Sequence, residues 1–132
     1  MTRVNTKRLA AIALAIAGAA PAVAAERSQA RPVTVIASEY EFSPAKLTFK
    51  RGVAYRLHIA NHGKELHEFH APEFLKAVEL GDPAVLNADK TELLIHPGEA
   101  KDLTFVPKKA GRYKLICADH DWAGMTGAIT VK

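Results

Sequence analysis

The sequence has very little of what would cross-link or anchor a chain. Only one of its 132 residues is cysteine, which excludes an intramolecular disulfide. The apolar run over residues 9–20, which ends at Pro21, is too short to span a bilayer. The composition, 48% hydrophobic and 24% charged, is that of an ordinary globular protein with enough apolar side chains for one core. We therefore expect one folded domain with no stable membrane association.

The residues around this apolar run have the pattern of a secretory leader. Arg3, Lys7 and Arg8 precede the run, and small side chains follow Pro21. A basic start, a short apolar centre and a small-residue cleavage site are typical of a signal peptide. We expect residues 1–25 to be a signal peptide, cleaved after Ala24 or Ala25. Residues 26–132 would then form the mature domain, located in the periplasm.

The net charge of the chain changes when this leader is set apart. The whole sequence carries a formal charge of +4, and residues 1–25 contain three basic and no acidic side chains. Their removal leaves 15 basic against 14 acidic side chains, a charge of about +1. A nucleic-acid partner normally requires a strongly basic surface, so we expect none.

The mature region is dominated by short segments of alternating polarity. In residues 54–61, Tyr55, Leu57 and Ile59 alternate with Arg56 and His58, which is typical of a half-buried strand. Short strands are likewise predicted at residues 32–37, 47–50, 92–95, 101–106, 112–117 and 127–132, separated by turn residues.

One segment departs from this pattern. Residues 71–80 carry Pro72 near their start and Phe74, Leu75 and Val78 at helical spacing, before Gly81 ends the segment. The sequence therefore predicts an all-β, Greek-key β-sandwich with one short helix.

The single cysteine lies in a cluster of metal-binding residue types. His120 follows Cys117 by three residues and Met125 follows it by eight, on a segment that joins two predicted strands. A thiolate, an imidazole and a thioether are the donors that select copper, and a second histidine would complete a trigonal site with a weak axial methionine. Zinc is disfavoured because there is no second cysteine and methionine is a poor zinc ligand.

The second histidine has two main candidates, His67 and His70. We favour His67, because we expect it where the chain re-enters the sheet beside Cys117. His70 lies three residues further on, and the pleat of a strand would direct it to the opposite face. His58 falls on the predicted solvent face, and His62 and His96 fall in turns.

These residues also carry a resemblance to a known family. The end of the chain resembles that of plastocyanins, and its Cys-x2-His-x4-Met spacing is also that of pseudoazurins; the matching positions are Tyr113, Cys117, His120, Ala123, Gly124, Met125, Gly127, Thr130 and Val131. The segment from Asn61 to His67 resembles the loop before the first histidine ligand of the same proteins, which are cupredoxins. The resemblance implies a two-sheet Greek-key sandwich. It also implies one type 1 copper per chain, held by His67, Cys117, His120 and Met125, with the ring edge of His120 at the surface for electron transfer.

Carboxylates stand where plastocyanins have other residues. Plastocyanins carry proline at the position of Asp119 and asparagine at that of Glu68, and Glu65 and Asp121 lie nearby in sequence. The pattern is closer to that of the broader bacterial cupredoxin-like proteins. Negative charge near copper favours the more positive, oxidised ion, so we expect a lowered reduction potential.

Together these features predict a soluble one-electron carrier. A complete ligand set leaves no open position for a substrate, so we expect no enzymatic activity. The partners would be redox proteins that dock around His120, and the protein would be a monomer. The alternative is a copper-binding protein for trafficking, storage or assistance of metal uptake, since His62, Glu68 and His70 offer further donors. A partner-binding module without metal is a third possibility, which the intact ligand set disfavours.

Overall fold

A computed structural model describes residues 28–132, which fold into two five-stranded sheets. In spatial order, the first sheet contains β2 (Glu41–Ser43), β1 (Arg31–Ser38), β4 (Tyr55–Asn61), β8 (Ala100–Pro107) and β6 (Val78–Leu80). The second contains β3 (Lys46–Phe49), β10 (Thr126–Val131), β9 (Gly111–Ile116), β5 (His67–His70) and β7 (Glu92–Ile95). The signal peptide predicted for residues 1–25 lies outside the described residues. Within them, no helix has the length and apolar character needed to cross a membrane.

The two sheets face each other across a core built from alternate residues of each strand. In β4, Leu57 and Ile59 are fully buried while Arg56 is exposed, as the alternation in the sequence predicts. Apolar side chains of both sheets meet them, among them Val35, Leu47, Phe69, Leu93, Ile95, Leu103, Leu115 and Ile129. The predicted all-β sandwich with one short helix is confirmed.

Two strand pairs are parallel and join distant parts of the chain. Strand β1 pairs with β4, which places Ala37 opposite Asn61. Strand β10 pairs with β3, which lies some eighty residues earlier in the sequence, and Ile129 is opposite Leu47. The remaining pairs are antiparallel. As a result, the end of β1, the end of β4, the start of β5 and the end of β9 lie at one end of the sandwich, here called the metal end.

The helix predicted over residues 71–80 is wrong in its second half. Helix α1 covers Pro72–Lys76 only, and the chain continues as strand β6, which pairs with β8. The helical part is retained because Phe74 is fully buried, with its ring centroid 5.7 Å from that of Phe49 and 5.3 Å from that of Phe105. Val78 lies opposite Pro107 in the pairing of β6 with β8, so its backbone belongs to the sheet. Strand pairing therefore outweighs the helical spacing of the apolar residues.

The turn between β7 and β8 is fixed by Glu99. Its Oε2 accepts hydrogen bonds from the backbone N–H of His96 at 2.8 Å and from the His96 ring at 3.1 Å. The His96 backbone N–H, followed by the His96 ring, lowers the pKa of Glu99 below its ordinary value. Gly98 has the left-handed φ of 75° that such a turn requires.

We expect Glu99→Gln to lower stability slightly at neutral pH, because the charged acceptor is lost. A lowered pKa means that the carboxylate contributes stability above its unfolded-state pKa and loses it as the pH falls through the folded-state pKa. The difference in urea midpoint between wild type and variant should therefore be constant near pH 7. It should begin to shrink near the ordinary value of 4.5 and disappear only when the pH lies below the lowered pKa of the folded state. An equal difference at all pH values would contradict this role.

Candidate metal centre

Three side chains of types that bind metals, those of His67, Cys117 and His120, converge at the metal end of the sandwich. His67 is the first residue of β5, Cys117 directly follows β9, and His120 lies on the loop between β9 and β10. Strands β5 and β9 are antiparallel neighbours, with His70 opposite Ile116, so the start of one lies beside the end of the other. Cys117 points inward because it lies two residues after the buried Leu115.

The nitrogen and sulfur atoms of this cluster are close enough to share one ion. One ligand atom each from His67, Cys117 and His120 lies within 4.8 Å of the others, and all three residues are buried. The Cys117 Sγ is 4.0 Å from His67 Nδ1 and 3.4 Å from His120 Nδ1. Both rings therefore present the same nitrogen to the sulfur.

These distances fit a transition-metal ion. Metal–nitrogen bonds of about 2.0 Å and metal–sulfur bonds of about 2.3 Å at trigonal or tetrahedral angles separate the two donors by roughly 3.5–3.7 Å. The two observed separations, 3.4 and 4.0 Å, bracket this value. Among residues 28–132 this is the one such group of His, Cys, Asp and Glu side chains.

Met125 closes the loop that carries two of these residues. The Cys117 N–H donates to the Met125 carbonyl at 3.0 Å, and the Met125 N–H donates to the His120 carbonyl at 3.3 Å. Gly124 supports the return of the chain with a left-handed φ of 84°. The Met125 side chain is fully buried, so the thioether predicted as an axial ligand is enclosed at this end of the core.

Glu68 ties the loop to strand β5. Its backbone N–H donates to the Cys117 sulfur at 3.4 Å, and its Oε2 accepts the Asp119 N–H at 3.1 Å. Burial raises the pKa of Glu68, and the negative charges of Asp119 and Glu92 raise it further. Burial also raises the pKa of the Cys117 thiol, against the Glu68 N–H, which lowers it. A bound cation would overcome the raised pKa of the Cys117 thiol, since a coordinated thiol loses its proton.

Asn61, at the end of β4, organises the segment that leads to His67. Its Nδ2 donates to the carbonyl of Glu65 at 2.7 Å and to that of Ile95 at 2.8 Å, and its Oδ1 accepts the Gly63 N–H at 2.8 Å. The Asn61 side chain is fully buried. One amide therefore joins β4, β7 and the loop over residues 62–66.

The outer nitrogens of both imidazoles contact carboxylates. Glu39, in the turn after β1, has its Oε1 3.2 Å from His67 Nε2. The Glu65 Oε2 lies 2.6 Å from His120 Nε2. The backbone N–H groups of Glu65 and Lys64, followed by His67, lower the pKa of Glu39, although partial burial opposes them.

The Tyr40 ring packs against His120 and covers part of it. The Tyr40 ring centroid lies 4.8 Å from that of His120, and Tyr40 Oη donates to Glu65 Oε1 at 3.2 Å. Burial raises the pKa of Tyr40, as does this hydrogen bond. The His120 side chain is 11% exposed, so only a small part of the ring reaches the surface, where its Nε2 contacts Glu65. Trp122 is 76% exposed and is held by Nε1 donating to the Asp119 carbonyl at 2.9 Å.

The structure separates the other histidines from this cluster. His70 points away from Cys117, as the pleat predicts, and its Nδ1 lies 2.8 Å from Glu92 Oε2. His58 pairs with Asp102 at 2.7 Å on the outer side of the first sheet. His62 and His96 are exposed, as expected for turns.

Several residues at this site carry no signal in the local sequence. Glu39 and Tyr40 lie almost thirty residues before His67, in a turn whose position depends on the parallel pairing of β1 with β4. Glu65 was noted as a nearby carboxylate, but its contact with His120 depends on a loop from another part of the chain. Histidines that bind metals commonly donate their second ring N–H to a carboxylate. This general rule is the one signal from which acidic partners of His67 and His120 could have been predicted.

Comparison with known proteins agrees with the fold and the donor set. A family model described as a cupredoxin-like domain matches residues 8–131. The structure is similar to that of auracyanin B, with a TM-score of 0.57 and 24% identity over 78% of this chain and 89% of that one. At that identity the likeness concerns the fold alone.

Two curated relatives share the name copper-resistant cuproprotein CopI. The protein from Pseudomonas aeruginosa is 27% identical, covering 85% of this chain and 81% of the relative. The protein from Rubrivivax gelatinosus is 30% identical, covering 77% of this chain and 67% of the relative. Because the cupredoxin-like family model matches residues 8–131, the chain belongs to the cupredoxin-like family.

Proposed function

We propose that this protein binds one type 1 copper ion through His67, Cys117, His120 and Met125 and carries single electrons in the periplasm. The observation that supports this most strongly is the convergence of Cys117 Sγ with the Nδ1 atoms of both histidines. When bound, copper would supply a one-electron couple between Cu(II) and Cu(I).

The chain's own residues favour small rearrangement between the two oxidation states. The Cys117–Met125 hydrogen bond closes the ligand loop, and Glu68 holds it against β5. His67 lies within a strand rather than on a free loop. Donors held on a rigid frame change position little when the charge of the ion changes, which permits rapid electron transfer.

The enclosed site supports a carrier rather than an enzyme. His67, Cys117 and Met125 are fully buried and His120 almost so, as expected for a metal ion whose donors are all protein side chains rather than one open to a substrate. The exposed Trp122, in contact with Tyr40 above His120, offers a surface where a redox partner can dock.

Copper handling for resistance is the second candidate function. The names of the two CopI relatives favour it. The described side chains give it less support: His70 is engaged by Glu92, and neither His62 nor His70 belongs to the cluster.

Titration with Cu(II), followed by absorption and electron paramagnetic resonance spectroscopy, tests the proposal. We expect saturation at one copper per chain, an intense thiolate-to-copper band and a narrow hyperfine splitting. Repeated cycles of ascorbate reduction and ferricyanide oxidation should restore the band without loss of metal to a Cu(I) chelator. A weak, tetragonal spectrum would refute type 1 copper.

The same titration on His62→Ala and His70→Ala separates the two functions. An electron carrier retains its stoichiometry and affinity in both variants. A lower stoichiometry in either variant, together with transfer of Cu(I) to the chelator in each cycle, would favour copper handling.

A further inference from the structure

On each of the two imidazoles proposed as ligands, the Nε2 atom contacts the carboxylate of a different glutamate. Glu39 meets the outer nitrogen of His67, and Glu65 meets the outer nitrogen of His120. The two carboxylates come from separate segments, the turn after β1 and the loop before β5. Neither is needed by the four-ligand site described above.

We propose that Glu39 and Glu65 act as a pair of positioning residues that direct both Nδ1 atoms at the metal and stabilise Cu(II) relative to Cu(I). This inference rests on the proposed type 1 copper site. It assigns to two residues outside the ligand set a role in setting the reduction potential.

The contact of Glu39 with His67 determines which ring nitrogen is free. A carboxylate only accepts hydrogen bonds, so His67 Nε2 must carry the hydrogen. The lone pair then lies on Nδ1, the atom 4.0 Å from Cys117 Sγ. Glu39 is itself fixed, because its Oε1 also accepts the N–H groups of Lys64 at 2.6 Å and Glu65 at 3.0 Å.

Gly63 provides the space for this contact. A Cβ atom on Gly63 would collide with the Glu39 carboxylate and would lie 2.9 Å from His67 Nε2. The residue is also held by its N–H, which donates to Asn61. The absence of a side chain at residue 63 therefore allows the Glu39 carboxylate to contact His67 Nε2.

Glu65 holds His120 in the equivalent way. Its Oε2 accepts from His120 Nε2 at 2.6 Å, while its Oε1 accepts from Tyr40 Oη at 3.2 Å. Tyr40 also covers the His120 ring, with centroids 4.8 Å apart. Both oxygens of Glu65 are therefore occupied, and its backbone carbonyl is anchored by Asn61.

The electrostatic consequence differs between the two oxidation states. A carboxylate bound to the outer N–H makes the imidazole a more basic ligand, and its negative charge interacts more favourably with the ion of higher charge. Cu(II) gains more than Cu(I), which lowers the reduction potential. A role limited to holding the fold together would affect both ions equally and leave the potential unchanged.

The test uses Glu39→Gln and Glu65→Gln, which keep size and one acceptor oxygen but remove the charge. Asp102→Asn is the matched control, because it alters a histidine–carboxylate pair on the outer side of the first sheet. Affinities for Cu(II) and Cu(I) are measured by competition with chelators, and the potential by protein-film voltammetry. We expect each Glu variant to lose about 10-fold or more in Cu(II) affinity, with a smaller loss for Cu(I) and a raised potential.

Gly63→Ala tests position separately from charge. It should displace the Glu39 carboxylate while leaving the net charge unchanged, and raise the potential in the same direction as Glu39→Gln. Equal losses for both ions, or potentials like that of Asp102→Asn, would overturn the proposal. If the wild-type protein shows no thiolate-to-copper band, the proposed function itself fails.

A measurement on the metal-free protein gives a readout independent of copper. Two-bond ¹H–¹⁵N correlation spectra of the histidine rings should show the Nε2–H tautomer for both His67 and His120. In Glu65→Ala the His120 signal should shift toward a tautomer mixture, while His67 is unchanged. Detection of the Nδ1–H tautomer in the wild-type protein would overturn the positioning role whatever metal binds.

Discussion

Replacing Cys117 by serine is expected to abolish the intense visible band of the copper-loaded protein and to weaken Cu(II) binding by more than about 100-fold. The band arises from charge transfer between thiolate sulfur and copper, which a hydroxyl cannot provide. Loss of an outer-shell partner alone costs about 10–100-fold in metal affinity, so loss of a ligand should cost more. Absorption spectroscopy and chelator competition measure both effects.

The fold should survive this change. Cys117 is fully buried and accepts the Glu68 N–H, and a serine oxygen can accept the same hydrogen bond. Circular dichroism of the metal-free variant should therefore match that of wild type. A variant that keeps the band would exclude Cys117 as the ligand, whereas an unfolded variant would show that the thiol contributes mainly to packing.

Asn61→Ala is expected to lower the free energy of unfolding by about 3–5 kcal/mol. The substitution removes three hydrogen bonds, of which the one to Ile95 is buried and the other two are partly buried, and it leaves the Glu65 and Ile95 carbonyls and the Gly63 N–H without that partner. An unpaired buried polar group costs about 1–3 kcal/mol. Copper affinity should fall as well, because the loop that carries Glu65 loses its anchor. Urea denaturation of the metal-free protein measures the stability change.

Asn87→Ala is the matched control for this prediction. Asn87 also organises a loop, since its Oδ1 accepts the Thr91 N–H at 2.8 Å and its Nδ2 donates to Thr91 Oγ1 at 3.0 Å, but it is only half-buried. We expect a smaller loss of stability, about 1–2 kcal/mol, and unchanged copper affinity. Equal effects of the two substitutions on copper affinity would contradict the role of Asn61 at the metal end.

Much of the sandwich could be predicted from the sequence because burial on one face imposes a two-residue period. Residues 92–95 were predicted with the bounds that the structure shows for β7. The prediction for β4 begins one residue early, and that for β9 is displaced by one residue at both ends. The short strands β2 and β6 have only three residues each, too few for a period to be visible. In β6 the helical spacing of the preceding residues also concealed a strand that exists through its pairing with β8.

The donor cluster could be predicted for a different reason. Cys117, His120 and Met125 lie on one loop, so their proximity follows from sequence distance alone, and the strand pleat separates His67 from His70. The partners behind the imidazoles depend on tertiary pairing. Glu39 reaches His67 only because β1 and β4 run parallel and end together, and no local pattern encodes that arrangement.

The parallel pairing of β3 with β10 affects the order of events during folding. Lys46 lies opposite Ala128, so the second sheet closes only when segments some eighty residues apart have met. Contacts of such long sequence separation carry a large loop-closure entropy and form slowly. His67 and the loop over residues 117–125 are brought together by a second long-range pairing, that of β5 with β9, in which His70 lies opposite Ile116. If the four proposed donors bind copper, a newly made chain would hold the ion with all of them only after both pairings have formed, so a shorter, incomplete chain would gain no stability from copper in this way.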